Sequence, residues 1–265
     1  MCGIISCLTI NNNLVEILIN GLKQLQNRGY DSAGLSFFKN NTLNTYKFAS
    51  NEIDSIEKLE NKTKELKNIN IGIAHTRWAT HGPKTDNNSH PHVSNNNNIA
   101  LVHNGIIENF QSLKNFLLNN NFKFKSDTDT EVIVNLLEYH SYNDSNFFNV
   151  IKKTINMLEG TYGLAIINLE ENNKIYCVRH GSPLLIGQHD NSVIITSEQS
   201  GFNGLVNNYF ILDSDDICEI SIDLNLDTEP EPEPEPELGY TYNKNERFNI
   251  KTRKKYEILN TNLIN

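Results

Sequence analysis

The chain has 265 residues, 38% of them hydrophobic, and a formal net charge of −9, which is enough material for one large domain or two small ones. The acidic balance argues against general binding to nucleic acid or to an anionic membrane, and no stretch approaches the roughly 18 apolar residues of a membrane span. There is no basic region followed by an apolar core at the start, and the four cysteines (Cys2, Cys7, Cys177, Cys218) lack CxxC spacing, so reduced thiols in a cytoplasmic chain are expected rather than a secreted disulfide frame.

Met1 is followed directly by Cys2. Loss of Met1 would leave a thiol and a free α-amine on one residue, a self-contained nucleophile and base. Such an amine titrates at about 7.7–8.0, so part of it is unprotonated near neutral pH. Taken alone, Met-Cys is equally an ordinary chain start. Gly3 to Ile10 reads as a buried strand that would hold Cys2 at its beginning. Leu14, Ile17, Leu18, Leu22 and Leu25 recur at helical spacing, giving a helix over Asn13 to Gln26. Strands follow over Ser32 to Phe38 and Leu43 to Phe48, a charged helix over Ile53 to Leu66, and a strand over Ile69 to Thr76. A polar loop to about Asn98 precedes a strand over Ile99 to His103 and helices over Glu108 to Leu118, Thr130 to Tyr139 and Phe147 to Leu158. Short strands then recur with turns between them: Tyr162 to Leu169, Lys174 to Val178, Leu184 to Ile186, Ser192 to Thr196, Tyr209 to Leu212 and Ile217 to Ile222. Helices in the middle and strands at both ends indicate an α+β fold with mainly antiparallel sheet. Glu229 to Glu237 alternates Glu and Pro, which excludes a helix or inner strand and reads as a stiff, solvated linker over 223–240. A basic C-terminal tail over 241–265 carries Lys244, Arg247, Lys251, Arg253, Lys254 and Lys255; it reads as a passive tail or as a docking arm for a partner.

Four segments concentrate reactive residues. Arg28-Gly29-Tyr30-Asp31 offers a turn with an Arg/Asp pair, or simply a helix end capped at Gly29 with a structural ion pair. His75 to Gly82 holds the lone tryptophan, Trp78, beside Arg77, whose planar fork suits a carboxylate. The alternative there is a core Trp78 and a surface Arg77. Asn104-Gly105 could supply an oxyanion pocket from an amide and a backbone N–H, or be a tight turn. Ser126 to Glu131 precedes a helix, so Asp127 or Thr128 is a candidate cap, and a carboxylate there could meet an ammonium group. His90-Pro91-His92 does not read as a metal site, because no third ligand stands at suitable spacing.

Together and in this order, these segments resemble the glutaminase domain of the glucosamine-6-phosphate synthase (glutamine:fructose-6-phosphate aminotransferase) family, in the class II glutamine amidotransferases. The resemblance covers about residues 2–222. It is carried by Cys2-Gly3-Ile4, Arg28 to Gly34, His75 to Gly82, His90 to Asn109, Gly160-Thr161-Tyr162-Gly163 and Arg179 to Leu184. It implies a four-layer αββα sandwich of N-terminal-nucleophile hydrolase type with two antiparallel sheets. It also implies roles. Cys2 attacks the side-chain amide of glutamine, and Asn104 and Gly105 hold the oxyanion. Arg77 binds the α-carboxylate with Thr80 and His81 nearby, Asp129 meets the α-ammonium, Trp78 gates ammonia, and Arg28 helps position the nucleophile. No metal or cofactor is called for. The sugar-isomerising half of the family is absent from these residues, so a separate sugar-phosphate isomerase/synthase chain is a candidate partner. A non-catalytic glutamine-binding or regulatory module docking on such a synthase is the alternative.

Overall fold

The computed structural model describes residues 2–78, 82–189, 191–223, 240–242 and 247–261; the side chains of Arg28 and of residues 240–242 fall outside that description. In chain order the elements are β1 (Gly3–Thr9), α1 (Leu14–Gln24), β2 (Ser32–Lys39), β3 (Thr42–Ala49), α2 (Ser55–Thr63), β4 (Ile71–Arg77), β5 (His92–Val93) and β6 (Ile99–Ile107). There follow α3 (Phe110–Asn119), α4 (Glu131–Ser141), α5 (Phe147–Ile155), β7 (Gly160–Asn168), β8 (Lys174–His180), β9 (Leu185–His189) and β10 (Ser192–Thr196). The last are β11 (Asn208–Ile211), β12 (Asp216–Ile222), β13 (Tyr240–Tyr242), β14 (Phe248–Thr252) and β15 (Leu259–Asn260).

The strands form two antiparallel sheets. One has eight strands in the order β15-β11-β9-β10-β1-β4-β2-β3, the other seven in the order β13-β14-β12-β8-β7-β6-β5. Each strand near the middle feeds two cores in alternation, because successive side chains leave opposite faces. Ile4 and Leu8 of β1 meet Ala100, Val102, Ala165 and Ile167 in the space between the sheets. Ile5 and Cys7 face the other way, onto Leu14, Leu18 and Leu22 of α1 and Ile56 and Leu59 of α2. On the far side, Leu101, Leu164 and Ile166 pack under Val132, Ile133 and Leu136 of α4 and Val150 and Ile151 of α5. The layers are therefore helix, sheet, sheet, helix, the αββα sandwich expected. Double-sided burial explains why the strands read as near-continuous apolar runs, and each large side chain so buried is worth about 1.5–3 kcal/mol.

Two differences from the sequence reading bear on function. First, β6 runs on to Ile107, so Asn104 and Gly105 lie within a strand paired to β7 and not in a turn after it. Second, residues 247–261 are woven into the fold. Ile220 of β12 pairs with Ile250 of β14, and Tyr209 of β11 pairs with Leu259 of β15, so the segment read as a tail adds a strand to each sheet. Between them Tyr256 stacks on Phe210 and bonds the fully buried Asp216, which also accepts from Arg253 Nε at 3.2 Å. The whole Glu-Pro stretch, within residues 224–239, lies outside the described residues. Its flanks do not: the Asp223 N–H donates to the Arg247 carbonyl at 2.8 Å.

Candidate active site

The alternation that builds the core also builds the site. Ile4, Ile73 and Val102 point into the space between the sheets. The same alternation carries on to Cys2, two residues before Ile4, and to His75 and Asn104, two residues after Ile73 and Val102, with Arg77 two beyond His75. Apolar filling thus gives way to polar groups at one end of the sandwich.

Cys2 sits just ahead of β1. The Trp78 N–H donates to Cys2 Sγ at 3.3 Å, and Sγ lies 3.7 Å from the Trp78 carbonyl. Burial pushes the thiol up; the Trp78 N–H and the positive charge of Arg77 pull it back down. The side-chain Nδ2 of Asn104 donates to the Cys2 carbonyl at 3.0 Å, tying the second sheet to the residue that carries the thiol.

Arg77 ends β4 and is only 4% exposed, whereas Trp78 is 44% exposed and tilts against Tyr30 with ring centroids 5.6 Å apart. The reading of a core tryptophan beside a surface arginine is therefore reversed. The aromatic ring stands half-exposed, and the cation lies buried near Cys2, Asp31 and Asp129. The Arg77 guanidinium rests against the carbonyls of Gly82 and Pro83 at 3.5 and 3.4 Å, long contacts for hydrogen bonds. Gly29 explains its place in the motif by close approach. A Cβ there would meet the Arg77 carbonyl carbon at 2.6 Å and the Trp78 nitrogen at 2.9 Å.

Asp129 is 6% exposed and accepts the Ile107 N–H at 2.8 Å, which aims one oxygen at the backbone of β6 and leaves its charge facing the site. Neither Asp127 nor Thr128 caps α4. Asp127 bonds Asn88 Nδ2 at 3.4 Å and Thr128 bonds His92 Nε2 at 3.0 Å. The reach-back comes from Glu131, whose carboxylate accepts from the backbone of Lys125 and Ser126 at 2.8 and 2.7 Å. Gly105 holds φ at +137°, and a Cβ on it would lie 2.0 Å from the Thr161 carbonyl oxygen, so only glycine fits beside Asn104.

Behind this group lie four buried histidines, His75, His90, His92 and His103. The rings of His75 and His90 are 4.2 Å apart and those of His90 and His92 4.7 Å. Thr130 Oγ1 joins His90 Nε2 at 3.0 Å and His103 Nδ1 at 2.9 Å. Burial holds all four below the ordinary histidine range, His75 at about 3, and the neighbouring rings and Arg77 add to the effect at His75, His90 and His92. They are neutral hydrogen-bonding parts of the site wall. Among the described residues, no cluster of three or more His, Cys, Asp or Glu could hold a metal ion.

The structure thus brings together Cys2, Arg77, Trp78, Asn104, Gly105 and Asp129. Thr80 and His81 lie outside the described residues, and Arg28 ends a short 3-10 turn with its side chain outside them. The sequence reading did not single out His75, Thr130 or the Trp78 N–H. Period-two alternation from Ile73 could have put His75 on the inner face; nothing local marks the other two. No helix among the described residues is long and apolar enough to cross a membrane.

Comparison with known proteins agrees with this geometry. Residues 75–204 match the family model described as a glutamine amidotransferase domain. The chain is 44% identical over 226 residues to the glutamine--fructose-6-phosphate aminotransferase [isomerizing] of Francisella tularensis, covering 84% of this chain and 36% of that protein. It is 42% identical over 222 residues to the enzyme of the same name from Buchnera aphidicola, covering 83% and 36%. The chain therefore spans about a third of the length of these relatives. Among solved structures, the glutamine phosphoribosylpyrophosphate amidotransferase of B. subtilis superposes with a TM-score of 0.70 at 25% identity, over 83% of this chain and 47% of that one.

Proposed function

We propose that this chain, which belongs to the glutamine amidotransferases and carries their N-terminal-nucleophile fold, releases ammonia from glutamine for an aminotransferase of the fructose 6-phosphate type. The observation that carries the reading is the meeting of Cys2 with an Asn104 amide from the opposite sheet, flanked by one buried cation, Arg77, and one buried anion, Asp129. Free glutamine has a matching pair of charges at its α-carbon and an amide at the far end.

Removal of Met1 frees the Cys2 α-amine, which takes the thiol proton. Sulfur attacks the side-chain amide carbon, and the carbonyl oxygen gains negative charge that the Asn104 Nδ2–H and Gly105 N–H hold. Loss of one such donor typically costs about 10² to 10³ in rate. The ammonium form of the α-amine returns the proton to the departing nitrogen, ammonia leaves, and a thioester remains on Cys2. Water, with the amine again acting as base, then gives glutamate and regenerates the thiol. Arg77 and Asp129 hold the α-carboxylate and α-ammonium, Thr80 and His81 assist Arg77, and Trp78 gates the ammonia. The acceptor is fructose 6-phosphate, giving glucosamine 6-phosphate on a sugar-binding domain or chain beyond these residues; the relatives' greater length supports this.

The test is direct. Processed chain incubated with glutamine should yield equimolar glutamate and ammonia; measurable glutamine affinity without turnover would make it a binding module instead. Adding fructose 6-phosphate and a sugar-isomerising partner domain should divert ammonia into glucosamine 6-phosphate, and failure to do so would remove the proposed acceptor.

A further inference from the structure

The Asn104 side chain can serve an oxyanion only if its NH2 end, not its oxygen, faces the reacting carbon. The two ends of an amide are nearly equal in shape, so something must choose between them. His75 Nε2 lies 3.0 Å from Asn104 Oδ1 and 3.1 Å from the His103 carbonyl oxygen. A backbone carbonyl can only accept, so Nε2 must carry the hydrogen. The end of Asn104 facing that N–H must then be its oxygen. At the other end, Nδ2 faces the Cys2 carbonyl at 3.0 Å, a second group that can only accept. Two obligate partners thus agree on one orientation. Nδ2 keeps its second hydrogen for the substrate.

The other tautomer of His75 is disfavoured on both sides of the ring. Nδ1 is buried and has no hydrogen-bond partner among the described residues, so a hydrogen there would be orphaned while Nε2 turned a lone pair toward two oxygens. Protonation is opposed as well, since burial holds the imidazole down to about 3. The His90 ring, tilted 31° to it with centroids 4.2 Å apart, packs against the imidazole. Reversing the Asn104 amide would break two hydrogen bonds and set like groups against each other.

We propose that His75 is the positioning residue of the oxyanion pocket, a fixed Nε2–H donor whose task is to keep the Asn104 amide turned toward the substrate. The proposal rests on the glutaminase reading above and adds a residue to it.

Steady-state glutaminase kinetics of His75→Phe and His75→Gln, each alone and combined with Asn104→Ala, test it. Loss of orientation at one oxyanion donor predicts a fall in kcat of about 10- to 100-fold for His75→Phe, with KM for glutamine changed by less than about twofold. His75→Gln, which keeps an N–H donor, should recover most of that loss. In the Asn104→Ala background His75→Phe should cost less than about twofold more, because its effect passes through an amide that is gone. An equal loss in both backgrounds, a KM rise that accounts for the loss, or no recovery by Gln overturns the proposal. If His75→Phe does not fold, nitrogen NMR of the wild-type imidazoles decides: His75 should stay in the Nε2–H tautomer from pH 5 to 8, and an Nδ1–H form or a titration in that range overturns it. A wild-type chain that makes no glutamate overturns the glutaminase reading, and the NMR measurement still judges the His75 geometry separately.

Discussion

The backbone N–H of Trp78 points at Cys2 Sγ from 3.3 Å, so the residue whose ring stands half-exposed against Tyr30 also holds the Cys2 thiol with its main chain. The sulfur is therefore held from one side by the residue that follows β4. What it lacks in the chain with Met1 attached is a base, because the Cys2 nitrogen is then part of a peptide bond.

Removing the thiol or withholding the base should each end turnover. Cys2→Ala should reduce glutamate formation to background, and a form of the chain in which Met1 is retained should behave alike while still binding glutamine. Mass spectrometry of the N-terminus alongside the assay checks this; full turnover with Met1 in place overturns the α-amine as base.

Arg77→Lys and Asp129→Asn should act mainly on binding. In the proposed function each change weakens a charge-assisted contact to glutamine worth about 1.5–3 kcal/mol, which corresponds to roughly 10- to 150-fold in kcat/KM. The loss should appear chiefly as a higher KM for glutamine. A fall confined to kcat would reassign these residues to the chemical step.

Gly105→Ala should be severe, because the residue is held at φ +137° and a methyl group would collide with the Thr161 carbonyl. Destabilisation of about 2 kcal/mol or more is expected together with loss of activity, from strain and displaced backbone. Denaturant unfolding and the glutaminase assay read the two effects separately.

Acid should unfold the protein early. His75, His90, His92 and His103 stay neutral in the fold, with depressed values, while in the unfolded chain each titrates at about 6.5. Above that pH neither state binds the protons and stability is fully present. As pH falls through about 6.5 the unfolded state takes up protons the folded state excludes, and stability drops by up to about 1.4 kcal/mol per pH unit for each histidine, toward the folded value of about 3 for His75. Urea midpoints at pH 7.5 and 5.5 should differ clearly; equal midpoints overturn the assignment.

The stretch between β12 and β14 should be replaceable. Since Asp223 and Arg247 are already hydrogen-bonded, a short turn in place of residues 224–246 should leave glutaminase activity intact. Closing a much shorter loop should add about 1–2 kcal/mol of stability, less what the edge strand β13 contributes. Truncation before Phe248, in contrast, should abolish folding, because it strips β14 from the sheet and leaves Asp216 buried without Tyr256 and Arg253.

Much of this was legible along the chain. Apolar runs and helical spacing gave the elements up to Ile222 within a few residues, because double-sided burial of the central strands imposes a strong local signal. The short edge strands β5, β13 and β15 escaped, since two or three residues paired at a sheet edge carry no periodicity of their own. β14 escaped because its alternation, Phe248, Ile250 and Thr252 inward, is masked by the basic residues around it. The candidate site residues Cys2, Arg77, Asn104, Gly105 and Asp129 are named by the family resemblance; residue type alone leaves Asn104-Gly105 open as a turn and Arg77 as a surface charge.

The sequence by itself therefore determined the fold class, the family and the kinds of group at the site. Only the tertiary structure decided which of them meet. That Arg77 is inside and Trp78 outside, that His75 of one sheet faces Asn104 of the other, and that residues 247–261 add a strand to each sheet all depend on contacts between segments far apart in the chain. Periodicity assigns a side chain to a face of its own strand. The partner across that face is chosen by how the two sheets pack, a choice made by the whole core at once.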